Sequence, residues 1–308
     1  FNAVLKNAGE IENKGIEVML TANPIDMSGF RWDAQVNFAK NTNTVVALTD
    51  GVENIFLGGF EGASVRAVAG LPYATIFGKG FLRDANGNLV ISNDTNDANN
   101  GFPMIDPQEK AFGSATPDWT MGFRNTFSYE GITLSVLLDI KKGGVLWNGT
   151  RSAMYYFGTS DGTADRGAKK VYTGVTGHLD ADGNPVIDGK PNTMEVTLDQ
   201  DWYSGLPTGG GGRGNGFTGD NTEDFIEDAG WTRVREVTLS YRLPKSIIES
   251  LPFSNVEISL SGRNLWLSTN YKGVDPETSL LGANNAQGID YFNMPGTKTY
   301  TMALRVNF

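Results

Sequence analysis

His178 is the only histidine in the chain, so any imidazole-based nucleophilic or general-base chemistry would have to converge on it. Nothing beside it supplies the partners of a Ser/His/Asp set, and it reads as a surface-loop residue. Two stretches have the oxygen-rich look of calcium loops: Asp180-Ala-Asp182-Gly-Asn184 and Asp84-Ala-Asn86-Gly-Asn88. A loop of that kind needs glycine at its sixth position and a closing glutamate at its twelfth. Pro185 stands at the sixth position of the first, which has no closing glutamate; the second lacks the glycine as well. Both share Asp-Ala-(Asn/Asp)-Gly-Asn-x-Val-Ile, a pattern suited to tight hairpin turns. The run Gly209-Gly-Gly-Gly212-Arg213-Gly214 lacks the Lys-Ser/Thr of a phosphate-binding loop and reads as a flexible segment. Without cysteine there is neither a disulfide framework nor thiol chemistry. No catalytic constellation emerges, and neither a metal nor a cofactor is expected.

The remaining candidates are aromatic. Trp147, Tyr155, Tyr156, Trp202 and Tyr203 all fall in one long connection, where their rings could stack on sugars or pack against peptide side chains. They could equally hold the loop together or meet a partner protein. A formal charge of −10 argues against a nucleic-acid partner, since phosphate binding needs a basic face.

What must position these residues is a set of strands. Charged residues are 19% of the chain and 39 positions are glycine, a balance of strands and turns. Seven segments alternate with period two, at about 15–23, 30–48, 119–129, 131–141, 231–242, 255–267 and 298–308. In the clearest, Phe30, Trp32, Ala34, Val36 and Phe38 share one face, and Arg31, Asp33, Gln35 and Asn37 the other. Alternation alone fits a soluble sandwich or a membrane barrel, because both cover one face of each strand. The connections discriminate: short and long ones alternate strictly, as when short periplasmic turns face long extracellular loops. With the last strand running inward, Trp32, Tyr129, Tyr241 and Phe308 fall on apolar faces at the short-turn end. Trp119, Trp266 and Tyr300 fall on apolar faces at the long-loop end. The Trp119–Tyr129 and Tyr300–Phe308 separations span roughly 20–25 Å of height on tilted strands, near the gap between two aromatic girdles. Asn125 interrupts the apolar face in mid-strand. Seven is odd and too few to close a barrel, and the chain begins at Phe1 without a leader; both suggest a piece of something longer.

Several runs carry a family likeness. They are Asn7-Ala-Gly-Glu-Ile-Glu-Asn-Lys-Gly-Ile-Glu17, Phe30 to Asn41, Thr116-Pro-Asp-Trp119 and the Gly-Phe-x-Asn-Thr strand at Gly122 to Thr126. Trp231 to Pro244, Ser261-Gly-Arg-Asn-Leu265, Tyr271-Lys-Gly-Val-Asp-Pro-Glu277 and the closing strand to Phe308 complete the set. Together, and in this order, the chain resembles the C-terminal portion of SusC/RagA-type TonB-dependent outer-membrane transporters of Bacteroidetes. The resemblance implies an all-β, antiparallel transmembrane barrel of twenty-two strands, of which residues 1–308 supply the C-terminal part. The plug domain and TonB segment would lie in sequence absent here. It also implies a SusD-like lipoprotein lid, TonB coupling, outer-membrane lipid, and oligosaccharide or peptide cargo. Phe308 would then be the aromatic signal read by the barrel-assembly machinery. A passive porin or adhesin barrel and a soluble carbohydrate-binding sandwich are the alternatives.

Overall fold

The computed structural model describes residues 9–60, 62–206, 212–218, 220–250, 252–282 and 285–308. Asn7 and Ala8 of the first matching run, and Gly209–Gly211 of the glycine run, lie outside them. Seven strands form one antiparallel sheet in chain order: β1 (Gly9–Met27), β2 (Phe30–Leu48), β3 (Trp119–Tyr129), β4 (Ile132–Lys142), β5 (Trp231–Arg242), β6 (Asn255–Thr269) and β7 (Thr299–Asn307). Each strand neighbours the next, and the sheet is open, with β1 and β7 at its edges. No helix among the described residues is long and apolar enough to cross a membrane.

The first strand overruns its expected end at Asn23. Asn23 and Pro24 form a bulge, pairing resumes at Ile25–Trp32, and the turn shrinks to Ser28-Gly29. Proline has no N–H to give a ladder, and an edge strand tolerates that loss at a bulge. At the β3–β4 turn Glu130 (φ 43°) and Gly131 (φ 88°) both adopt left-handed backbone, which suits a two-residue hairpin. A second bulge lies in β5. Val234 pairs with Leu138 and Glu236 with Leu137, so Arg235 has no residue opposite it in β4. The extra residue switches faces: Val237, Leu239 and Tyr241 line the apolar side, whereas Trp231 and Arg233 lie on the polar side with Lys141 and Asp139.

Polar-face charges pair along and across the strands. Glu236 takes Arg124 at 3.4 Å and Arg263 at 3.0 Å, and Arg31 meets Asp33 at 2.8 Å. Glu257 lies between Arg242 at 3.6 Å and Arg305 at 3.8 Å.

The core of the molecule is elsewhere. The three long connections, legible only as loops and turns, fold together into a cap at one end of the sheet. Strands 54–59, 63–68, 75–78 and 110–114 make a four-stranded sheet. Residues 145–148 are flanked by 226–228 and 289–290, which joins the second long connection to the third. Val90–Ser92 pairs in parallel with 175–177, which joins the first to the second. One apolar cluster draws Ala63, Val65, Ile76, Trp147, Phe225 and Ile289 from all three connections.

Candidate functional site

Helix α1 (Gly149–Tyr156) is the hub of the cap. Asn148, fully buried, caps it by accepting from the Arg151 N–H at 2.9 Å. Asn148 also donates through Nδ2 to Glu227 at 3.2 Å. The Arg151 guanidinium donates to Glu227 at 2.6 Å and to the Asp224 carbonyl, and lies 4.5 Å from the Phe225 ring centroid. The other Glu227 oxygen accepts the Lys272 N–H at 2.7 Å, so one carboxylate ties α1 to the last connection. Asp290, nearly fully buried, accepts from the hydroxyls of Thr150 and Tyr271. Burial, and then the hydrogen bond to Asp290, push the Tyr271 phenol well above its ordinary range, so it stays a neutral donor.

A second junction fastens the cap to the wall. Arg233 forms a two-pronged pair with Asp275 at 2.7 and 3.4 Å, both side chains buried. Arg235, projecting from its bulge, reaches Asp139 at 2.7 Å, Glu277 at 2.9 Å and Asn264 at 3.3 Å. Burial alone would raise the Asp275 carboxyl, but the hydrogen bond from Arg233 and the Glu277 and Gly296 N–H groups hold it below its ordinary range. The runs Trp231 to Pro244 and Tyr271 to Glu277 thus meet through arginine–carboxylate forks.

The five loop aromatics separate in space. Trp147 is 2% exposed and sits inside the three-connection core, so its ring has no face to offer a ligand. Trp202 stacks on Phe102 at 5.1 Å within a second core that also holds Tyr172 and Tyr203. Burial and the bond to Asp165 raise the Tyr203 phenol above its ordinary range. Tyr155 and Tyr156, half-buried on α1, point into different clefts. Tyr155 lines one of about 610 Å³ with Arg151, Ser160, Asp161 and Lys272. Tyr156 and Tyr203 line another of about 650 Å³ with Phe157, Arg166 and Gln200. Sequence reading missed an aromatic seam in which Tyr156 meets Phe157 and Phe217, and Phe217 stacks on Tyr291 at 5.9 Å. Phe217 lies some 60 residues from Tyr156 and Tyr291 comes from another connection, so no local pattern marks it.

Both Asp-x-Asx stretches are tight turns. The Asp84 carboxylate accepts the N–H groups of Asn86 and Asn88, and the Asp180 carboxylate those of Asp182 and Asn184. The backbone bond holds Asp180 below the ordinary carboxyl range, as the Asn88 side chain holds Asp84. His178 lies in the hairpin strand opposite Val186.

On the apolar face, Trp32 packs on Phe127 at 5.9 Å and Trp119 on Phe38 at 6.0 Å. Tyr129, Tyr241, Trp266, Tyr300 and Phe308 are exposed there, and Phe308 also meets Phe253 at 5.4 Å.

No family model matches the chain. It is 26% identical over 99% of its length to TonB-dependent receptor P3 of Formosa agariphila. Over its full length it is 23% identical to the TonB-dependent receptor SusC of Bacteroides thetaiotaomicron. It spans 29% and 28% of those proteins. Among solved structures, that of the RagAB peptide transporter matches 98% of this chain and 30% of its own, with TM-score 0.60 and 17% identity. The RagAB peptide importer in its closed-closed state gives TM-score 0.61 and 18% identity, with 98% of this chain and 30% of that one covered. These relatives are named receptors and importers, and the structural likeness confirms the antiparallel all-β fold. Over nearly its whole length the chain is similar in sequence to these TonB-dependent receptors and in fold to the RagAB transporter, and it covers about 29% of their length.

Proposed function

We propose that the chain supplies wall strands and the outer cap of a bacterial outer-membrane β-barrel that imports oligosaccharides or peptides in a TonB-dependent manner. The observation that carries this reading is the apolar face of the sheet. Leu20, Leu260, Trp266, Tyr300 and Met302 all lie on it and are each more than half exposed. A continuous surface of that kind is unstable in water and suited to lipid. In this reading residues 1–308 form one portion of a single barrel domain, with plug and TonB contact supplied by polypeptide outside it. Trp32, Tyr129, Tyr241 and Phe308 make the periplasmic girdle and Trp119, Trp266 and Tyr300 the outer one. Phe308 is the assembly signal.

The cap faces outward, under a SusD-like lipoprotein lid. Cargo contact falls to Tyr155 and Tyr156, while Trp147, Trp202 and Tyr203 hold the cap in shape. The test uses the whole protein: outer-membrane fractionation, detergent dependence, and mass spectrometry of what co-purifies with it. A monomer soluble without detergent would return the chain to a soluble sandwich. Uptake that survives a protonophore would make it a passive pore.

A further inference from the structure

Arg166 stands apart from the other arginines of the chain. Each of those forms an ion pair with a carboxylate. The exposed Arg166 side chain has neither an ion pair nor a hydrogen bond among the described residues. The carboxylates beside it are engaged. Asp165 accepts the Tyr203 hydroxyl, and Asp199 caps α2 (Gln200–Ser204) by accepting the Trp202 N–H at 3.0 Å. Gly158, just past the end of α1, has φ 67°, and a methyl group there would come within 2.7 Å of Arg166 Nη1. The guanidinium therefore lies against bare backbone, lining the cleft of about 650 Å³ that Tyr156 shares.

The rest of that cleft offers apolar surface. Phe157 is 64% exposed and Leu206 46%, and both line it with Tyr156. The Tyr156 and Phe157 rings stand nearly perpendicular, 4.9 Å apart at 86°, and Phe217 meets Tyr156 at 64°. Rings set edge to face make a corner rather than a platform. A sugar stacks its CH face on a flat open ring, whereas a corner encloses a branched or aromatic side chain. Exposed apolar surface beside one unpaired cation, in a concave site, suits a ligand that is apolar and anionic at once.

We propose that this cleft reads the C-terminal end of a peptide cargo, with Arg166 as the residue that sets its specificity. Arg166 takes the α-carboxylate through two parallel N–H donors, the geometry in which a guanidinium binds a carboxylate best. The corner of Tyr156, Phe157 and Leu206 takes the apolar side chain of the last residue. A free peptide end carries carboxylate and side chain on one carbon, so the two groups always arrive together. A uronic acid would bring the charge without the apolar partner. This choice of peptide over oligosaccharide deepens the import reading above and rests on it.

The test offers the whole detergent-purified protein pools of pentapeptides ending in leucine or phenylalanine, as free acids and as C-terminal amides. Captured peptide is counted by mass spectrometry. The wild type should retain the acids about tenfold better than the amides, as expected for one charge-assisted pair. R166Q should erase that preference while still retaining the amides. R166K should restore part of it, since an ammonium lacks the fork. F157A should weaken acids and amides alike. Capture of neither pool, equal capture of acids and amides, or an unchanged preference in R166Q would overturn the proposal. Preferential capture of a galacturonic acid trimer would overturn it too, leaving the import reading standing with an acidic saccharide as cargo. A protein that never enters a bilayer sinks the import reading itself.

Discussion

The indole N–H of Trp32 donates to Oδ1 of Asn125 at 3.0 Å, from β2 to β3 across the apolar face. Asn125 is the polar residue that interrupts this face, opposite Ala34 and Val136. On the membrane reading proposed above, the bond explains how a carboxamide is tolerated there: in lipid an unpaired polar group costs more than it does in water. W32F should cost the protein in bilayers about 1–3 kcal/mol, because the amide loses its partner. W32F/N125V should recover most of that loss. Chemical unfolding in liposomes reads the cycle, and additive single-variant costs would refute the coupling.

Removing Arg233 should free the last long connection from the wall. R233M strands the Asp275 carboxylate in a buried site, at a cost of about 3–5 kcal/mol. R233M/D275L should cost much less. Hydrogen exchange over residues 271–282 of the whole protein would rise sharply in the single variant. Unchanged protection would show that the forks carry no weight.

The cap should loosen in acid. Burial by itself would raise the Glu223 carboxyl, yet hydrogen bonds from Lys110 and Arg83 hold it below its ordinary range. A carboxyl depressed in the folded state stabilises fully above its unfolded pKa, about 4.3. That contribution fades as pH falls through the lower folded value. Exchange protection at 80–83 and 222–225 should therefore hold from neutral pH down to about pH 5 and decline below 4. In E223Q that acid-dependent step should shrink; an identical profile would assign the loosening to other carboxyls.

Burial separates the loop aromatics by expected phenotype. W147A should destabilise the cap by about 3–5 kcal/mol through the cavity it leaves. Y156A, at a half-exposed position, should change stability by about 0.5 kcal/mol or less and, on the proposed function, lower cargo affinity instead. Limited proteolysis of the cap and cargo titration distinguish the two. A proteolysis-sensitive Y156A would move Tyr156 into the core.

The wall was legible because each strand separates two environments, and alternation records that separation residue by residue. It failed where pairing slips. Asn23-Pro24 reads as a strand end and is a bulge, and the extra Arg235 breaks the parity that would group Trp231 with Val237. The two Asp-Ala-x-Gly-Asn turns were readable because one aspartate and its own backbone complete them. The cap was not. Its contacts join segments too far apart for any local period, and Trp147 looks the same in sequence whether it faces cargo or core.

The cap also keeps time. Thr150 and Asp290 meet across 140 residues, and the strand at 145–148 gains its second neighbour only from 289–290. Such a contact must wait for a long loop to close. In the barrel proposed above, whose strands would be delivered in chain order, α1 lacks its anchor until the segment leading to the final strand is in place. An ordered cap therefore marks a chain whose late strands have arrived, and a stalled assembly intermediate would present residues 145–228 to proteases first.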